Sequence, residues 1–146
     1  MTLKINFLKK ANNDNNNIVF FCDEKLNLNS IKKFINSSEF SYINELIKNC
    51  DLKKNLFIFE INSKKKIILI PIKSKFKTSD IENLGAEFYV SINKGKDAQY
   101  FLNTDSINSK ISNFVCHFLH GLKLKSYDFK KYKTKKDTRK ILISVI

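Results

Sequence analysis

Four short, nearly unbroken apolar runs constrain this chain more than anything else in it: residues 18–22 (IVFFC), 56–61 (LFIFEI), 66–72 (KIILIPI) and 141–146 (ILISVI). A strand with one face on water alternates apolar and polar residues, whereas a strand covered on both faces reads as continuous Val, Ile, Leu and Phe. All four have strand length, and 18–22 reads as a strand covered on both faces, in the interior of the sheet, while 141–146 forms the closing strand. The runs at 56–61 and 66–72 flank the turn-like NSKK and predict a hairpin. Pro71 cannot donate to a ladder and so marks an end or an edge of its strand. Leu3, Ile5 and Phe7 alternate with Lys4 and Asn6, predicting a half-covered strand over 3–8, and QYFL predicts a short one over 99–102.

Helical periodicity fills the intervals. Ile31, Phe34 and Ile35, then Ile43, Leu46, Ile47 and Cys50, recur at helical spacing behind an N-cap at Asn29 or Ser30. Ser37 and Ser38 divide them into two short helices or one interrupted helix. A second helix runs from Thr78, Ser79 or Asp80 through Ile92 toward Gly95. Its Gly85 and Ala86 point to close packing against a neighbour, because Gly costs a helix roughly 1 kcal/mol. A third, capped by Thr104 or Asp105, carries the stripe Ile107, Ile111, Phe114, Val115, Phe118, Leu119, Leu122. The polar ANNDNNN is a surface loop. Alternating strands and helices with one hairpin predict an α/β chain: a three-layer α/β/α domain with a mixed central sheet of about six strands. The 146 residues suit a single domain, 1–146.

The residues that could carry chemistry are few. Cys116 and His120 are four apart on the third helix, with His117 beside the cysteine, but a metal site needs three or four ligands and none completes the set. The same pair lacks the third, orienting group of a nucleophilic site. Gly85, Gly95 and Gly121 are too dispersed for a phosphate-cradling loop. Asp23 with Glu24 and Asp80 with Glu82 fall at element ends, where capping explains them. Asn103-Thr104-Asp105 reads as a strand-to-helix turn. No catalytic or metal-binding residue is assigned, and no cofactor is expected in this chain.

The net charge of +13 invites a nucleic-acid reading, yet Arg139 is the one arginine among 27 basic residues, and lysine lacks the fork that reads phosphate bidentately. Residues 121–146 hold nine of those bases against Asp128 and Asp137, with Tyr127, Phe129 and Tyr132 interleaved. Aromatics among lysines can stack single strands, with Lys130, Lys131, Lys135 and Lys136 as backbone contacts. More often such aromatics anchor a connector whose lysines stay in water. The odd, scattered Cys22, Cys50 and Cys116 fit reduced thiols. No apolar run reaches membrane-spanning length and the first residues do not form a secretory signal, so a cytoplasmic protein is expected.

Phe114, Gly121, Leu124, Tyr127, Phe129, Tyr132 and Lys133, followed by Lys135 or Lys136, resemble the F…G…L…Y-x-F…Y-K…K pattern that ends the N-terminal domain of leucyl (cytosol) aminopeptidases. KINFL, CDLKKN, KKIILIPI and ENLGAE agree in order with other pieces of that domain. The resemblance spans essentially the whole chain, although only 114–136 is specific. It implies a macro-domain-like fold that packs against a catalytic domain of the same protein and against other subunits of a homo-hexamer. That catalytic domain, with its two divalent metals (zinc or manganese), would lie outside this chain: the family's NTDAEGRL string is missing, since Asn103-Thr104-Asp105 is followed by Ser106. The chain alone is then expected to be inactive, and 114–133 to be a docking segment. The alternative is a small basic nucleic-acid-binding module using 123–136. Macro-like folds elsewhere bind ADP-ribose, and the absence of Gly-rich loops argues against that activity here.

Overall fold

The computed structural model describes residues 2–9, 17–93, 98–107, 113–127 and 140–146. Strands β1 (Thr2–Phe7), β2 (Asn17–Asp23), β3 (Phe57–Glu60), β4 (Lys66–Ile72), β5 (Ala98–Asn103) and β6 (Lys140–Val145) form one sheet in the order β1-β6-β5-β2-β4-β3. Every neighbouring pair is parallel except β3 with β4. The helices are α1 (Ser37–Lys48), α2 (Thr78–Ile92) and α3 (Phe114–Ser126). The mixed six-stranded sheet between helical layers is the architecture that the apolar runs imply. IVFFC lies inside it, between β4 and β5, with both faces buried.

The two faces of β2 and β4 build two cores. Phe20, Cys22, Ile67 and Leu69 face α1 and the segment before it, meeting Leu26, Leu28, Ile31 and Ile43. Val19, Phe21, Ile68 and Ile70 face α2 and α3, meeting Ile81, Leu84, Phe88, Phe114, Phe118 and Leu122. Phe21 stands edge-on to Phe114 and Phe118, at 5.4 and 5.3 Å between ring centroids. Each such buried side chain contributes about 1.5–3 kcal/mol relative to exposure.

The hairpin forms as expected. Asn62 Oδ1 closes its turn, accepting from the Lys64 and Lys65 amides at 2.8 and 2.9 Å. Pro71 lies two residues beyond Leu69, the last β4 residue opposite β3, where β4 pairs with β2 alone. Of the two arrangements expected for 31–50 the two-helix one forms, but its caps differ from expectation. Residues 32–34 form a 3-10 turn, and α1 starts behind Asn36, whose Oδ1 accepts from the Glu39 amide at 2.8 Å while the Glu39 carboxylate accepts from the Asn36 amide. This reciprocal capping box outcompetes Asn29 and Ser30. Glu39 also pairs with Lys65 at 2.8 Å, tying α1 to the hairpin turn. The third helix starts at Phe114, behind Asn113, and not at Thr104 or Asp105; Thr104–Ser106 is a 3-10 turn, Ile107 precedes the helix, and Ile111 is outside the described residues.

Gly85 and Gly121 sit where α2 crosses α3. A Cβ on Gly85 would lie 2.0 Å from the Phe118 carbonyl oxygen, and one on Gly121 would lie 1.9 Å from that of Glu82. Both obstacles are backbone, so the helices would have to separate. Gly85→Ala and Gly121→Ala should each cost about 3 kcal/mol and lower Tm by on the order of 10 °C. Val90→Ala, on the exposed side of α2, should change stability by less than about 0.5 kcal/mol. Thermal denaturation of the three variants checks this.

Candidate functional site at the carboxyl edge of the sheet

Five parallel strands, β1, β6, β5, β2 and β4, end at one edge of the sheet. In open α/β sheets the ligand crevice lies outside such an edge, where successive connections depart to opposite faces. Here that place is the end of β2. Its connection enters the α1 layer, while those of the flanking β4 and β5 lead to α2 and α3. The edge is stepped. Asp23 is level with Ile72, but Asn103 is level with Phe20, so β2 and β4 project three residues, about 10 Å, past the end of β5. The Thr104–Ser106 turn packs into the step against β2, and its Thr104 amide and hydroxyl both donate to the Ile146 carbonyl.

The loop after β2 is held by its own polar groups. Asp23 Oδ1 accepts from the Lys25 and Asn27 amides at 3.1 and 2.9 Å, and Asn27 Oδ1 accepts from the Asn29 amide at 3.0 Å. These turns drive Leu26 to φ 56°, a left-handed conformation unusual for a branched side chain, while burying that side chain against the α1 core. Glu24 reaches across to the loop after β4, where its Oε1 accepts from the Ser74 amide. That bond, then the Ser74 hydroxyl, with lesser help from the Lys73 and Lys75 ammoniums, holds the Glu24 carboxyl below the usual carboxylate range. The contact is therefore present above the ordinary carboxylate range and is lost as pH falls through the lowered value. Lys73 itself donates to Asn55 Oδ1 at 3.3 Å. Helix α2 begins four residues after Ser74, directing its positive end toward the same edge.

Other candidates lie elsewhere. His120 Nδ1 is 2.9 Å from Glu82 on the outside of the helical pair, and among the described residues no group of three His, Cys, Asp or Glu is placed to hold a metal ion. No helix among the described residues is long and apolar enough to cross a membrane. The 114–136 segment is dispersed. Phe114 is core, Gly121 is the helix crossing, and Leu124 and Tyr127 are 55% and 60% exposed. Phe129, Lys130, Lys131, Tyr132, Lys133, Lys135 and Lys136 are outside the described residues. Asp23 caps its own loop and Asp80 accepts from the Lys77 amide at the start of α2, as their positions suggest, whereas Glu24 does not cap. The bond from Glu24 to a residue fifty positions away has no local signal in the sequence.

No family model matches the sequence, and no curated protein does. Twenty-nine chains of solved structures match the fold. One, the macrodomain of Thermus aquaticus DarG, is similar at a TM-score of 0.61 and 7% identity over 98% of this chain and 99% of that one. At that identity the likeness shows the fold alone, which is macrodomain-like. It overturns the aminopeptidase reading. No family model and no curated protein supports an aminopeptidase, and the Phe114 and Gly121 spacing that suggested one is explained by a core-facing helix and its close crossing. The catalytic partner domain, its two metals and the hexamer rested on that resemblance alone. The nucleic-acid alternative gains nothing from the fold likeness either, and its lysines from Lys130 onward lie outside the described residues.

Cys22, one residue before Asp23, lies under this loop, where burial pushes its thiol up to about 12. Its protonated form contributes stability below the unfolded value of about 8.5, which is lost as pH rises from there through about 12. A thiol reagent at pH 8 should modify exposed Cys116 at once and Cys22 only on unfolding. Mass-spectrometric mapping of the labelled cysteines tests this, and fast labelling of Cys22 would show that the loop does not cover it.

Proposed function

We propose that this chain is a macrodomain-type binding module that takes a nucleotide diphosphate ligand of the ADP-ribose class at the carboxyl edge of its sheet. The observation that carries this reading is the full-length fold likeness to a macrodomain, with the strand order that brings five parallel strand ends and the start of α2 to one edge. The edge supplies the ammoniums of Lys73 and Lys75, the positive end of a helix, and turn amides that a ligand would take from the acceptors they already have: Ser74 from Glu24, Phe76 from the Lys73 carbonyl and Lys77 from Asp80. Glycine is absent from residues 23–30 and 73–78, so the ligand is met by side chains and turn amides and not by a tight glycine cradle. Binding without turnover is favoured, because the two carboxylates nearest the switch point, Asp23 and Glu24, already accept backbone amides. A reducing, cytoplasmic setting suits a chain whose Cys22, Cys50 and Cys116 are free.

The test is calorimetric and thermal titration of the 146-residue protein with ADP-ribose, with AMP and ribose 5-phosphate as partial ligands. ADP-ribose at a hundredfold excess over its Kd should stabilise the fold by about 2.7 kcal/mol, seen as a Tm rise of several degrees, and each partial ligand should do less. No heat and no Tm change at millimolar ADP-ribose would remove this reading.

A further inference from the structure

Glu24 binds the chain's own backbone across the carboxyl edge of the sheet. Its carboxylate, from the loop after β2, accepts the amide of Ser74 in the loop after β4, with Lys73 and Lys75 on either side of that amide in the chain. The two loops leave adjacent, level strand ends, Asp23 opposite Ile72, so the contact bridges the projecting part of the carboxyl edge. The loop that delivers Glu24 is also the one that holds Leu26 at φ 56°. A backbone amide flanked by two ammoniums is a recognition unit for phosphate or carboxylate oxygens, and it does not distinguish an internal carboxylate from an external one.

We infer that the Ser74 amide with Lys73 and Lys75 is an anion subsite for a phosphate group, and that Glu24 fills it from within the chain as a competing pseudo-ligand. The inference rests on the binding reading above and adds the group that regulates it. An external phosphate must displace Glu24, so its apparent affinity is reduced by the fraction of molecules in which the carboxylate is docked. The Ser74 bond holds the Glu24 carboxyl in its ionised form, the form that competes with an external anion. Leu26 has its own backbone bond to Asp23, at 3.1 Å, so the loop keeps an anchor when Glu24 lets go.

Inorganic pyrophosphate is the probe, titrated into the wild-type protein, Glu24→Ala and Glu24→Gln, and followed by amide resonances. Glu24→Ala should raise pyrophosphate affinity about tenfold over wild type, with the largest shifts at Lys73–Phe76. Glu24→Gln, which keeps the shape and loses the charge, should fall between the two. Circular dichroism and the melting curve of each variant confirm that the fold is retained. Equal or weaker affinity in Glu24→Ala, absence of pyrophosphate binding to any of the three, or shifts centred away from 73–76 would each overturn the inference. The same variants titrated with ADP-ribose separate the two readings. A pyrophosphate gain without ADP-ribose binding leaves the subsite standing and removes the ligand class, whereas equal ADP-ribose binding by wild type and Glu24→Ala leaves the ligand class standing and removes the plug.

Discussion

The backbone contact between α2 and α3 at Gly85 and Gly121 is the constraint to which the rest of the helical layer is adjusted. Side chains normally hold packed helices 8–10 Å apart, but here each glycine lies against a carbonyl of the other helix with no room for a methyl group. The close approach brings Phe88 on α2 to 5.6 Å from Phe118 on α3, and Phe118 in turn onto Phe21 of β2. One aromatic cluster thus joins both helices to the middle strand of the sheet. Because α2 starts just after the end of β4, fixing its lateral position also fixes where its positive end meets the carboxyl edge. A packing detail in the middle of the layer therefore has an electrostatic consequence at its rim.

The same glycines show how a sequence can be informative about structure and misleading about kinship. Gly85 within a helix is costly unless a neighbour needs the space, and that inference holds. Gly121 seven residues after Phe114 is what a helix produces when its core-facing aromatic and its crossing point share one side, two turns apart. A pattern fixed by helical geometry recurs in unrelated proteins, so F…G spacing followed by common aromatics and lysines resembles a family without implying descent. The interior strands were legible for the opposite reason. IVFFC and KIILIPI have no polar face because both faces of β2 and β4 are covered, and few other arrangements account for such runs.

Boundaries and the site were less legible, and the causes are physical. Ser37 and Ser38 look like an interruption, but Asn36 and Glu39 bracket them in a reciprocal cap, which turns poor helix formers into a good first turn. Asn113 starts α3 through a left-handed backbone and not through a side-chain cap, so no capping residue announces the helix. At the carboxyl edge the decisive contact joins Glu24 to Ser74. Nothing within either loop specifies it. It exists because β2 and β4 pair in register from Ile18 with Ile67 to Asp23 with Ile72, which sets the two loops side by side.

That register also bears on how an edge without glycine can remain open to a ligand. A tight glycine loop offers backbone amides by exposing them, and water satisfies them until a ligand arrives. Here Asp23 and Glu24 satisfy them instead: Asp23 closes its own loop, and Glu24 closes the gap to the next. The two carboxylates differ in what they leave behind. Removing Asp23 from its amides unravels the turn that buries Leu26, so its bonds are coupled to the α1 core. Removing Glu24 from Ser74 uncovers one exposed amide beside two lysines and disturbs no buried group. A solvent-exposed charged contact of this kind contributes little to stability, so the fold does not depend on it, and an external anion of matching geometry can take its place at small cost to the rest of the chain.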